Sequence, residues 1–152
     1  MPGPRAKPPA TTPMRRIPVI LVLASIIALP TVAEEARPSR AACDRAKLAG
    51  RAYIECLGAA VRASDQALAA ALSRAHAVID ARSELTPAQK ARWKNALDEA
   101  HGTFLRYRNL ECQNVAPYEG SRGIGAFEER LSCLIDKGDA RVRDLTSRYG
   151  SP

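Results

Sequence analysis

Aromatic residues are scarce in this chain, 5% of the total, and histidine is scarcer still, with His76 and His101 alone. Few aromatics argue against a nucleic-acid groove, which needs rings for bases to stack on. Neither histidine belongs to an H-E-x-x-H pattern and no G-x-S-x-G occurs, so the usual signatures of zinc peptidases and serine hydrolases are missing. His76 reads as a boundary residue at the edge of an apolar face, and His101 sits at helical spacing from Leu97 and Leu105. Asp98-Glu99 and Glu128-Glu129 are adjacent pairs, which diverge around a helix instead of converging on a substrate. An enzyme is the remotest reading, and neither a cofactor nor a metal is expected. No stretch alternates as a strand would, and no internal repeat is present.

What is abundant is alanine. Hydrophobic residues make up 46% of the 152, and a core so rich in alanine suits closely packed helices better than a sheet. The length fits one domain and hardly two.

The beginning of the chain reads differently. "MRRIPVILVLASIIALPTVA" has two arginines, an apolar run from Ile17 to Leu29, and small residues up to Ala33. That is the order of a secretory signal peptide. The run is shorter than the about 20 apolar residues a spanning helix needs. The proline-rich Met1–Pro13 is unlike a signal, so either the charged region is unusually long or translation starts at Met14. No cysteine directly follows the apolar run, so a lipid anchor is not expected. The resulting division is a signal peptide at 1–33, an N-terminal extension at 34–46 and a helical domain at 47–152. The expected location is the periplasm or outside the cell.

Four of the 23 basic residues (Arg5, Lys7, Arg15, Arg16) and none of the 16 acidic ones fall in 1–33, which leaves the mature part at 19 against 16, a net of +3. Attraction to nucleic acid or to a membrane is therefore weak. Cations alternate with acids along "DARVRDLTSR", the pattern of a solvated face with local ion pairs.

Cys43, Cys56, Cys112 and Cys133 all lie in the mature part and show no C-x-x-C spacing. In an exported chain with an even count, disulfides are the expected reading and a zinc site is not.

Three amphipathic segments follow. Ile54, Leu57, Val61, Leu68, Leu72, Ala75 and Ile79 recur at steps of three and four up to about Ala81, with Gly50 and Gly58 marking a break or kink near the start. "LTPAQ" opens the second segment, with Thr86 as N-cap, Pro87 at the first helical position and Gln89 three residues after the cap. Trp93, Leu97, Ala100, Phe104, Tyr107 and Leu110 follow on its expected apolar face. Residues 113–126 carry Pro117, Gly120, Gly123 and Gly125 and read as one substantial loop. The third segment, Phe127 to Tyr149, places Phe127, Leu131, Leu134, Val142, Leu145 and Tyr149 on a stripe that Gly150 closes.

These segments predict an all-α fold, an antiparallel up-down-up three-helix bundle stapled by disulfides. Its geometry brings all four cysteines to the end opposite the 83–86 turn and leaves all three pairings open, with the local pairs 43–56 and 112–133 preferred. Pairing Cys43 with Cys56 requires the residues after Cys43 to fold back as coil. Thirteen helical residues would span about 20 Å, against a Cα separation below about 7 Å in a disulfide.

"FLRYRNLEC" poses the central question of this sequence. The reading preferred is a structural one: Phe104 and Tyr107 in the core, Arg108 hydrogen-bonded to a neighbouring segment or to loop carbonyls, Cys112 in a staple. The same stretch is similar to the aromatic-x-x-Tyr-Arg-x-x-x-Cys signature of the LprI-type lysozyme-inhibitor family. Gly120-Ser121 falls where that family has a Gly-Ser loop. Cys133, Arg141 and Leu145 keep its later spacing, and Cys43, Cys56, Asp65 and Leu68 match its first half. Phe104 replaces a usual Trp, His101 a Gln, Asn109 an Asp, Ala69 an Asn, Leu72 a Tyr and Gly138 a Thr. The resemblance covers roughly Cys43 to Tyr149 and implies an exported, disulfide-bonded helical domain, with lysozyme inhibition as one activity.

Host lysozymes are strongly basic, so a partner with net +3 gains no global steering toward them. Inhibition would depend on a local acidic or protruding element, for which the sequence offers Tyr118, Glu119 and Ser121 in the loop. The expected function is a non-enzymatic binding protein with a protein partner, lysozyme by the resemblance. The alternative is a structural or adaptor protein of the cell envelope.

Overall fold

Three long helices dominate the computed structural model, which describes residues 37–119 and 123–150 together with Gly3. The segment read from sequence as a signal peptide, 1–33, lies outside the described residues apart from Gly3. The helices are α1 (Pro38–Ala42), α2 (Gly50–Asp80), α3 (Pro87–Asn114), α4 (Ala116–Glu119) and α5 (Ile124–Tyr149), with no strand among the described residues. α2, α3 and α5 form the antiparallel bundle, and α5 is its centre: it packs on every other helix, whereas α2 and α3 meet each other sparingly.

Local chemistry explains the boundaries. At α3 the Thr86 hydroxyl accepts from the Gln89 amide at 3.3 Å while the Gln89 side chain accepts from the Thr86 amide at 2.9 Å. This capping box satisfies two N–H groups the helix cannot use itself. Gly50 enters α2 with φ +54°, a left-handed turn in which a side chain would be strained. The break expected near Gly50 and Gly58 falls at Gly50, where α2 starts; the helix runs through Gly58 unbroken.

Two further differences concern the connections. The 113–126 stretch contains less loop than its glycines suggest, because α3 continues to Asn114 and Ala116–Glu119 forms a one-turn helix. Pro117 stands in the first turn of α4, where a missing N–H costs nothing. Ahead of Cys43, α1 begins with Pro38 at its first position and docks against α5.

Leu68, Ala71, Ala75 and Ile79 of α2 pack with Leu97, Leu145 and Tyr149 in the main core. A second cluster joins Cys43, Tyr53 and Leu57 to Ile135, and a third joins Cys112, Ala116 and Cys133. Each fully buried side chain such as Leu57, Ile79 or Leu145 contributes about 2 kcal/mol of hydrophobic stabilisation. Gly138 brings α5 close to α2: a methyl there would overlap the Ser64 hydroxyl and lie 3.4 Å from the Arg108 guanidinium.

The expected faces of α3 and α5 need correction. Tyr107 is 50% exposed and Leu110 64%, with Trp93 and Phe127 also at the surface, and Phe104 only half-buried against the main core. The buried line of α3 is instead Leu97, Arg108 and Cys112. At about 100° per residue, Arg108 shares the face of Cys112, four positions on, while Tyr107 points well away. The neighbouring segment that receives Arg108 is α2, through an ion pair to Asp65 at 2.8 Å.

His101, half-buried on α3, has its pKa lowered first by burial and then by the charge of Arg141, with Arg108 adding to this and Asp98 opposing it. A histidine that loses proton affinity on folding stabilises the native state above its unfolded pKa, ordinarily about 6.5, and that stability is lost as pH falls through the lower native value. Chemical denaturation at a series of pH values is expected to show stability declining below about 6.5. In His101→Gln that part of the decline should be absent; an identical profile would refute the assignment. Arg108→Ala should lower the unfolding free energy by about 2 kcal/mol, against less than about 0.5 for Arg106→Ala, whose guanidinium reaches only Thr103 on the surface. Equal melting temperatures for the two variants would contradict the Arg108 role.

Candidate functional site

The corner where α3 ends and α5 begins carries the proposed contact residues. Cys112–Cys133 joins the two helices with a Cα separation of 5.4 Å, and Ala116 packs against both cysteines. The last turn of α3, Val115 and α4 are thereby held against α5. Cys43–Cys56, with a Cα separation of 6.0 Å, closes the non-helical fold-back before α2. Cys43 packs on Ile135, two positions from Cys133. Both preferred pairings are therefore present, and all four cysteines gather around the first half of α5.

From this braced turn Tyr118 projects 88% exposed. Val115, Ile124 and Phe127, from the two sides of the same turn, and Leu110, one turn back on α3, are exposed apolar side chains as well. Glu119 lines a neighbouring cleft of about 420 Å³ between the chain entering α1, the end of α3, α4 and α5. Its walls include Glu111, Glu129, Asp136, Lys137 and Arg143. Most of these charges are compensated. Arg37 donates to Asp136 at 2.7 Å and to Glu129 at 2.8 Å, Lys137 stands 3.7 Å from Glu111, and Arg143 pairs with Asp139. Glu119 has no ion pair among the described residues.

Of the six remaining residues selected from sequence, the five among the described residues do not form one site. Tyr118 and Glu119 share α4 at the cleft; Ser121 lies outside the described residues. Arg108 turns inward to Asp65. Phe104 lies beneath the Arg141 guanidinium, 5.7 Å from its ring centroid. Tyr107 turns outward, its hydroxyl accepting from Lys137 Nζ at 3.0 Å with the ammonium 4.9 Å from the ring centroid. That hydrogen bond is the main cause raising the Lys137 pKa.

Sequence reasoning missed the cleft's ionic wall. Arg37 belongs to a segment that reads as an extension, yet it clamps α1 to α5 together with Ser39, whose amide and hydroxyl donate to Asp136 at 2.8 and 3.1 Å. Glu128 pairs with Arg45 and Glu129 with Arg37, yet, against the expectation that the two diverge, both line a second cavity. The one available signal was the cluster of arginines at 37, 40 and 45 ahead of an acid pair, and nothing in sequence spacing joins them.

Among the described residues no cluster of histidine, cysteine and acidic side chains could hold a metal ion, and no helix is long and apolar enough to cross a membrane. The family model for "Lysozyme inhibitor LprI" matches residues 43–145. No curated protein and no solved structure gives a significant match.

The braced turn has a direct test. Replacing Cys112 and Cys133 together by alanine should cost about 3 kcal/mol, as should replacing Cys43 and Cys56, the loops they close being of similar length. Only the first change should accelerate hydrogen exchange at the 115–119 amides. Unchanged exchange there would show that α4 does not depend on the disulfide.

Proposed function

The chain belongs to the LprI lysozyme-inhibitor family, and from that premise we propose that it is an exported, non-catalytic binding protein whose α4 corner contacts a lysozyme. The observation that carries this reading is Tyr118, 88% exposed on a turn that the Cys112–Cys133 disulfide holds in place. A large amphipathic side chain presented rigidly loses little conformational freedom on binding, and tyrosine is a frequent anchor of protein interfaces. Glu119, alongside it, supplies the local negative charge that the net +3 of the mature chain denies globally. Ser121, by its place next to α4 in sequence, is included in the proposed contact. Export is supported by the signal-like order of residues 1–33 and by two disulfides, which persist in oxidising compartments.

The test is muramidase activity of a c-type lysozyme titrated with the oxidised protein prepared as residues 34–152. Saturable inhibition is expected, with Tyr118→Ala weakening it by about 2 kcal/mol, roughly thirtyfold, and with Glu119→Gln and Ser121→Ala weakening it less. No inhibition at a large molar excess would reject the lysozyme reading in favour of an envelope adaptor.

A further inference from the structure

We propose that a second cavity, sharing the Arg37–Glu129 ion pair as a wall with the α4 cleft, binds a small hydroxylated carboxylic acid of the size of an acidic sugar. It measures about 450 Å³ and lies between the 37–45 strap, the first turn of α2 and the beginning of α5. This is within the size range of small-molecule sites. Neither the family match nor the α4 corner assigns it a role.

Its lining is that of a built site. Tyr53, Glu128 and Ser132 are each at most 7% exposed and still face the cavity. A buried serine usually returns its hydroxyl to a carbonyl of its own helix or finds another partner. That of Ser132 makes no hydrogen bond among the described residues, so it is free to meet a ligand hydroxyl or carboxylate. Arg45 pairs with Glu128 while its guanidinium covers the Tyr53 ring at 5.0 Å, and Arg37 pairs with Glu129. Arg40, exposed at the rim, has no ion pair among the described residues.

The charges decide the ligand class. The walls carry three guanidiniums (Arg37, Arg40, Arg45) and two carboxylates (Glu128, Glu129); Arg45 pairs with Glu128, Arg37 is shared between Glu129 and Asp136, and Arg40 alone is left to meet a ligand's charge. A carboxylate answers it with a charge-assisted hydrogen bond. A bare inorganic anion would also face both glutamates and give them no donor. An apolar ligand would leave the Ser132 hydroxyl buried without a partner. A molecule with one carboxylate and several hydroxyls satisfies Arg40, Ser132 and the free lone pairs of the glutamates together.

The experiment is a titration of the purified, oxidised protein with D-glucuronate, followed by NMR at the Ser132 amide and the Tyr53 ring. Glucose, which lacks the carboxylate, and acetate, which lacks the hydroxyls, are the controls. Saturable shifts at both reporters are expected for glucuronate, with each control binding at least about tenfold more weakly. Arg40→Ala and Ser132→Ala should each weaken glucuronate by about tenfold, and Arg40 is remote from the core, so its variant keeps the fold. The proposal is overturned if glucuronate gives no saturable shift, if acetate binds as well, or if both variants bind like the parent. Lysozyme takes no part in this measurement, so its outcome is independent of the inhibitor reading.

Discussion

The Cys112–Cys133 bond sets the rotation of α3 against α5, and much of the surface follows from that angle. With Cys112 turned fully inward, Arg108 four residues earlier must also face the interior, where Asp65 on α2 meets it. The same rotation carries Tyr107 out to Lys137 on α5. Because Gly138 has no side chain, α5 approaches α2 at this level closely enough to touch Ser64 and Arg108. Covalent staple, half-buried ion pair and glycine contact thus specify one geometry where α2 and α3 themselves pack little.

A second set of constraints is electrostatic and runs through α5. Its acidic residues Glu128, Glu129 and Asp136 each hold part of the strap that precedes α2, through Arg45, Arg37 and Ser39. Exposed ion pairs contribute little singly, but here two arginines, one serine and the Cys43–Cys56 disulfide converge on one short segment. The Arg37–Glu129 pair also stands between two cavities, one bordered by α4 and the other floored by Tyr53 and Ser132. What reads as an extension in sequence is therefore a wall shared by both sites.

These constraints bear on function through rigidity. Residues 34–152 carry a mild positive charge, so affinity for a basic enzyme would have to come from local shape and local carboxylates. A one-turn helix braced by a disulfide presents Tyr118 and Glu119 at little entropic cost. The family assignment suggests the partner class, and the α4 corner is the place proposed for it.

The sequence by itself determined the helical class, the start of α3 and the likeness to the LprI family, because these reside in local signals: alanine content, three-and-four spacing, the Thr86–Gln89 box, and the Tyr-Arg…Cys motif. The local cysteine pairing was preferred from sequence but became definite only once the 43–49 segment folded back. Tertiary structure alone decided which side of α3 is buried, since Leu97 and Arg108 face inward while Tyr107 and Leu110 do not. Periodicity counts apolar residues, and a buried arginine at Arg108 and an exposed tyrosine at Tyr107 invert that count. It also decided the meeting of Arg37 with Glu129 and Asp136. Ion pairs between residues more than ninety positions apart follow from where helices pack, and no local pattern encodes that.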